Sequence, residues 1–168
     1  MRRIIKNIIG YSVGILTFLF FIPFLLYKIS KFFILPIADT IVLTLTSGII
    51  FVCFGIFYMF WSNIYMQKQG KGNPLDVFGV CAAKTAELIT KGPYKYTRNP
   101  MLFGTFIFYL GLSFILNSIT AVIFSFVFAI LMVLYVKHFE EPRLYNDFKE
   151  KYIEYKQNTP LIIPKKPR

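Results

Sequence analysis

From Met101 to Val136 the sequence carries no Asp, Glu, Lys or Arg, and its clearest turn signal is Asn117-Ser118. So long a stretch without charge, at about 1.5 Å of helix per residue, reads as two membrane-crossing helices back to back. The spans expected here are 101–116 and 119–136. Two more precede them, at about 8–27 and 38–61, the first behind the basic start Met1-Arg2-Arg3 and carrying Pro23 as a candidate kink. The first is too long for a signal-peptide core and no small-residue cleavage site follows, so it is expected to remain as an anchor. The run at 101–116 is short for a full crossing, and is expected to tilt, start deeper or thin the bilayer locally. The fold class expected is therefore all-α, a polytopic helical membrane protein of about four spans. A polar central loop and a carboxyl-terminal amphipathic helix complete it, within a single domain over 1–168.

Composition agrees, with 56% hydrophobic, 19% aromatic and only 16% charged residues. The formal charge of +11 does not point to nucleic acid, because the basic residues flank the apolar runs instead of gathering on one polar face. Lys and Arg are placed three at the amino end, two in the first connection, six in the central loop, none at Asn117-Ser118 and eight after the last span. An even number of spans, with both ends and the central loop cytoplasmic, is the arrangement that fits this bias. Cys53 and Cys81 lie far apart and His138 has no partner at ligand spacing, so neither a disulfide framework nor a metal site is indicated.

The polar interest gathers in the loop. Gly70-Lys71-Gly72-Asn73-Pro74 is a breaker cluster, and Val77 to Thr90 has the character of a short surface helix. Gly92-Pro93 then reads as a turn, and Pro100 suits the first turn of a hydrophobic helix while biasing Asn99 toward extended geometry. Arg98 and Asn99 thus sit at the mouth of a span beside unpaired backbone amides, a place suited to a small anionic or polar ligand. An ordinary interfacial loop with a snorkelling arginine and tyrosine anchors fits the same residues.

At the far end of the last span come Glu140 and Glu141, followed by Pro142. Carboxylates there either cap a new helix opened by Pro142 or face a ligand, most naturally together with Arg98. A helix to about Gln157 should follow, with Leu144, Phe148, Tyr152 and Tyr155 forming one apolar stripe. On its own this stripe reads as a surface anchor. No GxSxG, HExxH, P-loop or strand-borne GxGxxG is present.

The segment Gly92-Pro93-Tyr94-Lys95-Tyr96-Thr97-Arg98-Asn99-Pro100-Met101-Leu102-Phe103-Gly104 is followed by a helical hairpin, then Glu140-Glu141 and Phe148…Tyr152…Tyr155…Pro160. This combination resembles the isoprenylcysteine carboxyl methyltransferases and the related phospholipid N-methyltransferases over roughly residues 65–164. The resemblance implies a methyltransferase that uses S-adenosylmethionine. Its cofactor would be lined by Leu88 and Ile89, packed by Tyr94, enclosed by Asn99, Pro100, Met101 and Leu102, and held through Glu140. Arg98 would bind the cofactor carboxylate or an anionic acceptor, and Glu141 is the candidate base for a protonated amine. Where the family often has His this chain has Asn99, which does not titrate near neutrality. Where the family often has Tyr it has Leu102, and Val136 replaces a substrate arginine of the prenylcysteine enzymes. The partners implied are the bilayer and a lipidic or small apolar acceptor, with no metal. Two rivals remain beside this reading: a sterol-type membrane reductase using a nicotinamide cofactor, and a small transport or scaffold protein without catalysis.

Overall fold

The computed structural model describes residues 12, 14, 16–32, 34–70 and 87–166. The breaker cluster beyond Gly70, most of the expected surface helix at 77–90, and Cys81 lie outside the described residues, as does the basic start. Among the described residues the regular elements are all helical, with no strand.

Helix α1, Ile22–Phe32, follows a π-helical turn at Leu16–Phe21. Pro23 has no N–H to give the preceding turn, and the missing bond falls where that π turn meets the helix. The helix also runs through Lys28 and Lys31, which had read as connection. Lys28 lies over the Phe24 ring at 5.4 Å and Lys31 over Tyr27 at 5.8 Å, so each cation rests on an aromatic face one turn back.

Helix α2, Ile41–Tyr65, runs on through a π turn at Met66–Gly70. Helix α3 is Pro100–Ile115. Helix α4, Ile119–Tyr135, passes without a break through a π turn at Val136–Glu140 into α5, Glu141–Phe148. Pro142 therefore repeats the device seen at Pro23. The helical runs Ile41–Gly70 and Ile119–Phe148 are 30 residues each and apolar enough to cross a membrane. At about 45 Å each, they exceed a hydrocarbon core of about 30 Å. The charged part of the second run, from Lys137 onward, thus lies beyond the apolar span.

The helices are inverted relative to a soluble bundle. On α2 the buried residues are Thr44, Gly48, Gly55 and Ser62, whereas Leu43, Ile50, Phe57 and Phe60 face outward. On α4 the buried residues are Ala121 and Ser125, with Ile123, Phe126, Ile130 and Leu131 outside. Small residues inside and large apolar ones outside are what a lipid solvent selects. The central pair is α2 against α3. A Cβ on Gly55 would lie 2.6 Å from the Phe108 amide nitrogen, and one on Gly111 would lie 2.6 Å from that of Val52. Glycine at both positions lets the backbones touch. Ser113 and Ser125 hydrogen-bond across α3 and α4 at 3.1 Å, in a region dry enough for such a bond to hold the pair. Leu26 of α1 completes the core with Phe108, Tyr109 and Ala121.

At one end of the bundle Asn117 adopts a positive φ of 47° in the tight turn between α3 and α4. Its side-chain oxygen accepts from the amides of Ile37 (2.9 Å) and Ala38 (3.2 Å), and its amide donates to the Ala38 carbonyl at 2.8 Å. The α1–α2 connection and the α3–α4 turn are thereby tied together. At the opposite end lie the loop before Pro100 and the start of α5. The last helix, α6 at Glu150–Asn158, is separate from α5. The single helix expected to Gln157 is broken at Lys149, whose φ of 45° and ψ of −118° are not helical. The break turns Tyr152 and Tyr155 inward, where both are buried. These two residues of the stripe that had read as a surface anchor meet the loop instead.

Candidate functional site

The loop enters the site through Leu88, half-buried, and Ile89, buried, in a short stretch without helix or strand. Gly92 has φ +61°, and a Cβ there would meet the Tyr65 ring at 2.5 Å, so the turn requires glycine twice over. A 3₁₀ turn, Gly92–Lys95, follows, closed by the Tyr96 amide on the Pro93 carbonyl at 3.1 Å. It buries Tyr94, whose hydroxyl shares a 3.0 Å hydrogen bond with Ser62 of α2, itself fully buried.

The corner from Tyr96 to Asn99 is then strapped from outside by residues 160–165. The Arg98 amide donates to the Pro160 carbonyl at 2.9 Å, and the Lys165 amide donates to the Tyr96 carbonyl at 3.0 Å. The Leu161 carbonyl accepts from the Thr97 hydroxyl and from the Asn99 side-chain amide, both at 3.1 Å. From α6, the Tyr155 hydroxyl donates to the Tyr94 carbonyl at 2.7 Å. Asn99 opens α3 without capping it through its side chain, and Pro100 is buried at the first helical position. Met101 and Leu102, both half-buried, form the first turn of α3, and the Met101 carbonyl accepts from Thr105 at 2.9 Å.

Arg98 and Glu141, 43 residues apart in sequence, meet directly. Arg98 Nη1 donates to Glu141 Oε1 and also to the Tyr152 hydroxyl, at 3.2 Å. The second carboxylate oxygen of Glu141 accepts from Lys156 Nζ at 2.6 Å. Arg98 and Glu141 are each only 10% exposed in their side chains, while Lys156 is half exposed. Burial alone would raise the Glu141 carboxyl, but the Lys156 hydrogen bond and the Arg98 charge hold it below its ordinary value.

Glu140 lies half-buried at the end of the π turn, and no hydrogen bond to its carboxylate is present among the described residues. Burial pushes its carboxyl up to about 7. The hydroxyl of Tyr94 is pushed up to about 12, chiefly by burial, with the Glu140 charge adding to it. Glu141 therefore belongs with Arg98, Tyr152 and Lys156, whereas Glu140 is felt at Tyr94 through its charge. Of the expected site residues, Arg98, Glu141, Asn99 and Tyr94 are joined directly or through the strap, and Leu88 and Ile89 lead into the same turn. Ser62, Tyr152, Tyr155 and Lys156 were not singled out as site residues. Ser62 had one signal in the sequence, as a polar residue at the end of an apolar run.

Fold and site together define a helical membrane protein with a polar, charge-bearing site where its apolar helices emerge. The chain belongs to the phospholipid methyltransferase family, whose model matches residues 43–151, from the first turn of α2 to the first turn of α6. Among curated proteins and among solved structures, no match is found. By class the chain is thus a membrane methyltransferase, and the family match covers the two long helices, the Arg98 corner and both glutamates.

Proposed function

We propose that this protein transfers methyl groups from S-adenosylmethionine to a lipidic or small apolar acceptor at the cytoplasmic membrane face. The observation that carries this reading is the direct meeting of the Arg98 corner with Glu141, beside Glu140, where the last apolar span ends. The donor is a cation bearing an ammonium and a carboxylate, and two groups at the site fit it. Glu140 offers a half-buried carboxylate with no partner among the described residues, and Arg98 keeps a buried Nε without one. When bound, S-adenosylmethionine supplies an electrophilic methyl group, and aligning the acceptor in a dry site is the main task left to the protein.

In this reading Glu140 accepts from the amino or hydroxyl groups of the cofactor. Tyr94, Asn99, Pro100, Met101 and Leu102 wall the site, and Leu88 and Ile89 line its entrance. Glu141 has both oxygens engaged by cations. That favours a positioning role, holding Arg98 in place, over the role of base. A carboxylate or thiolate acceptor needs no base.

Titration calorimetry on the detergent-purified chain tests the reading. Saturable binding of S-adenosylmethionine is expected, with Glu140→Ala weaker by about tenfold or more, as for a charge-assisted hydrogen bond. Affinity for the cationic ligand should rise with pH through about 7, as Glu140 ionises. In Glu140→Gln that rise should be lost. An unchanged affinity removes Glu140 from the site, and saturable binding of a reduced nicotinamide cofactor in place of the adenosyl ligand overturns the function.

We further propose four spans in one domain, with both ends cytoplasmic. The distribution of Lys and Arg supports this, as does the Asn117 turn lying at the opposite end from the site. A cysteine introduced at Ile119, with Cys53 and Cys81 replaced by serine, should react with an impermeant maleimide only from the non-cytoplasmic side. Labelling from the cytoplasm overturns the orientation.

A further inference from the structure

The guanidinium of Arg98 is used on one side only. Nη1 has two protons, and both are spent, on Glu141 and on the Tyr152 hydroxyl. Nε is buried with no partner among the described residues, and no hydrogen bond to Nη2 is present there either. Nε and Nη2 form the side-on edge of the fork, whose two parallel N–H groups match the oxygens of a carboxylate or phosphate. Glu141 does not reach across to that edge, because its second oxygen is held by Lys156.

The charges point the same way. Arg98 and Lys156 bring two cations to the cluster and Glu141 a single anion, so one positive charge is left over. A buried charged donor without an acceptor is costly, and an incoming anion removes that cost.

We propose that the Nε–Nη2 edge of Arg98 is an oxyanion site that takes a carboxylate or phosphate side-on. This deepens the methyltransferase reading and rests on it in part. The oxyanion comes either from the amino-acid carboxylate of the adenosyl ligand or from the phosphate of a lipid.

The experiment compares wild type with Arg98→Lys, which keeps a cation for Glu141 and removes the fork. Each is titrated with two matched pairs in neutral detergent: S-adenosylhomocysteine against 5′-methylthioadenosine, and lysophosphatidate against monoacylglycerol. The members of each pair differ chiefly in the anionic group. If Arg98→Lys weakens S-adenosylhomocysteine about tenfold and spares methylthioadenosine, the cofactor carboxylate is the occupant. If it weakens lysophosphatidate and spares monoacylglycerol, the occupant is a lipid phosphate. Equal effects on both members of each pair, or no effect on any probe, overturn the proposal. Lysophosphatidate binding that depends on Arg98, in a protein that takes up no adenosyl ligand, upholds the oxyanion site and ends the S-adenosylmethionine reading.

A second measurement avoids the variant's folding altogether. In wild-type protein carrying ¹⁵N-arginine, the Arg98 Nε–H resonance should shift as the bound oxyanion saturates. A resonance that stays in place at saturation overturns the proposal.

Discussion

Glu141→Ala is expected to destabilise the protein by about 3–5 kcal/mol, because it strands the Arg98 guanidinium in a nearly closed site with only a tyrosine hydroxyl for company. The double variant Arg98→Met/Glu141→Leu should recover most of that loss, since a matched apolar pair has no desolvation to repay. It should not recover methyl transfer. Chemical unfolding in micelles and a lipid-extract methylation assay, run on the same preparations, separate the two quantities. If the double variant regains both stability and turnover, the pair serves only the fold. The pH dependence has a definite sign. The Glu141 carboxyl is held below its ordinary value, so its contribution is present at neutral pH and is lost as the pH falls through that depressed value.

The second large effect belongs to α2 and α3. Gly55→Leu should abolish folded yield, because even its first carbon would meet the Phe108 amide nitrogen at 2.6 Å and the Gly104 carbonyl oxygen at 2.7 Å. Both obstacles are backbone, so only separation of the helices relieves the clash. Gly55→Ala should already cost about 3 kcal/mol, while Phe57→Leu on the outward face of the same helix should cost little. The monodisperse fraction on size exclusion and the thermal midpoint in detergent give the ranking. An alanine variant as stable as wild type would show that the helices part without cost. The site should feel this change too. Gly48, Gly55 and Ser62 follow one another at intervals of seven residues, all of them buried. The face that seats the helix pair therefore ends at the serine that holds Tyr94, and a shift of register at Gly55 moves that hydrogen bond with it.

Much of this arrangement could be read from the residues. Gly92-Pro93, Arg98-Asn99-Pro100 and the paired glutamates each announce themselves, because glycine, proline and charge beside apolar runs leave few alternatives. What the sequence hid follows from the same physics. Among the described residues Glu141 is paired and Glu140 is not, and nothing in two identical neighbouring residues tells them apart. The break at Lys149 puts a non-glycine residue at positive φ, and composition does not signal that. The strap joins residues some sixty positions apart, and its own side contributes only main-chain groups, the Pro160 and Leu161 carbonyls and the Lys165 amide, which residue type does not mark. Lys28 and Lys31 misled for a simpler reason: two cations looked like a loop, yet aromatic rings one turn back let the helix keep them.

The strap also sets an order of events during synthesis. The amides and carbonyls that fasten Tyr96, Thr97, Arg98 and Asn99 belong to residues 160–165, which emerge from the ribosome after α1 to α4. Nascent chains can thus enter the bilayer with the corner still unfastened, and it closes only when the late segment folds back over it. A chain stopped short of Pro160 would keep every apolar helix and lack the bonds that fasten the corner.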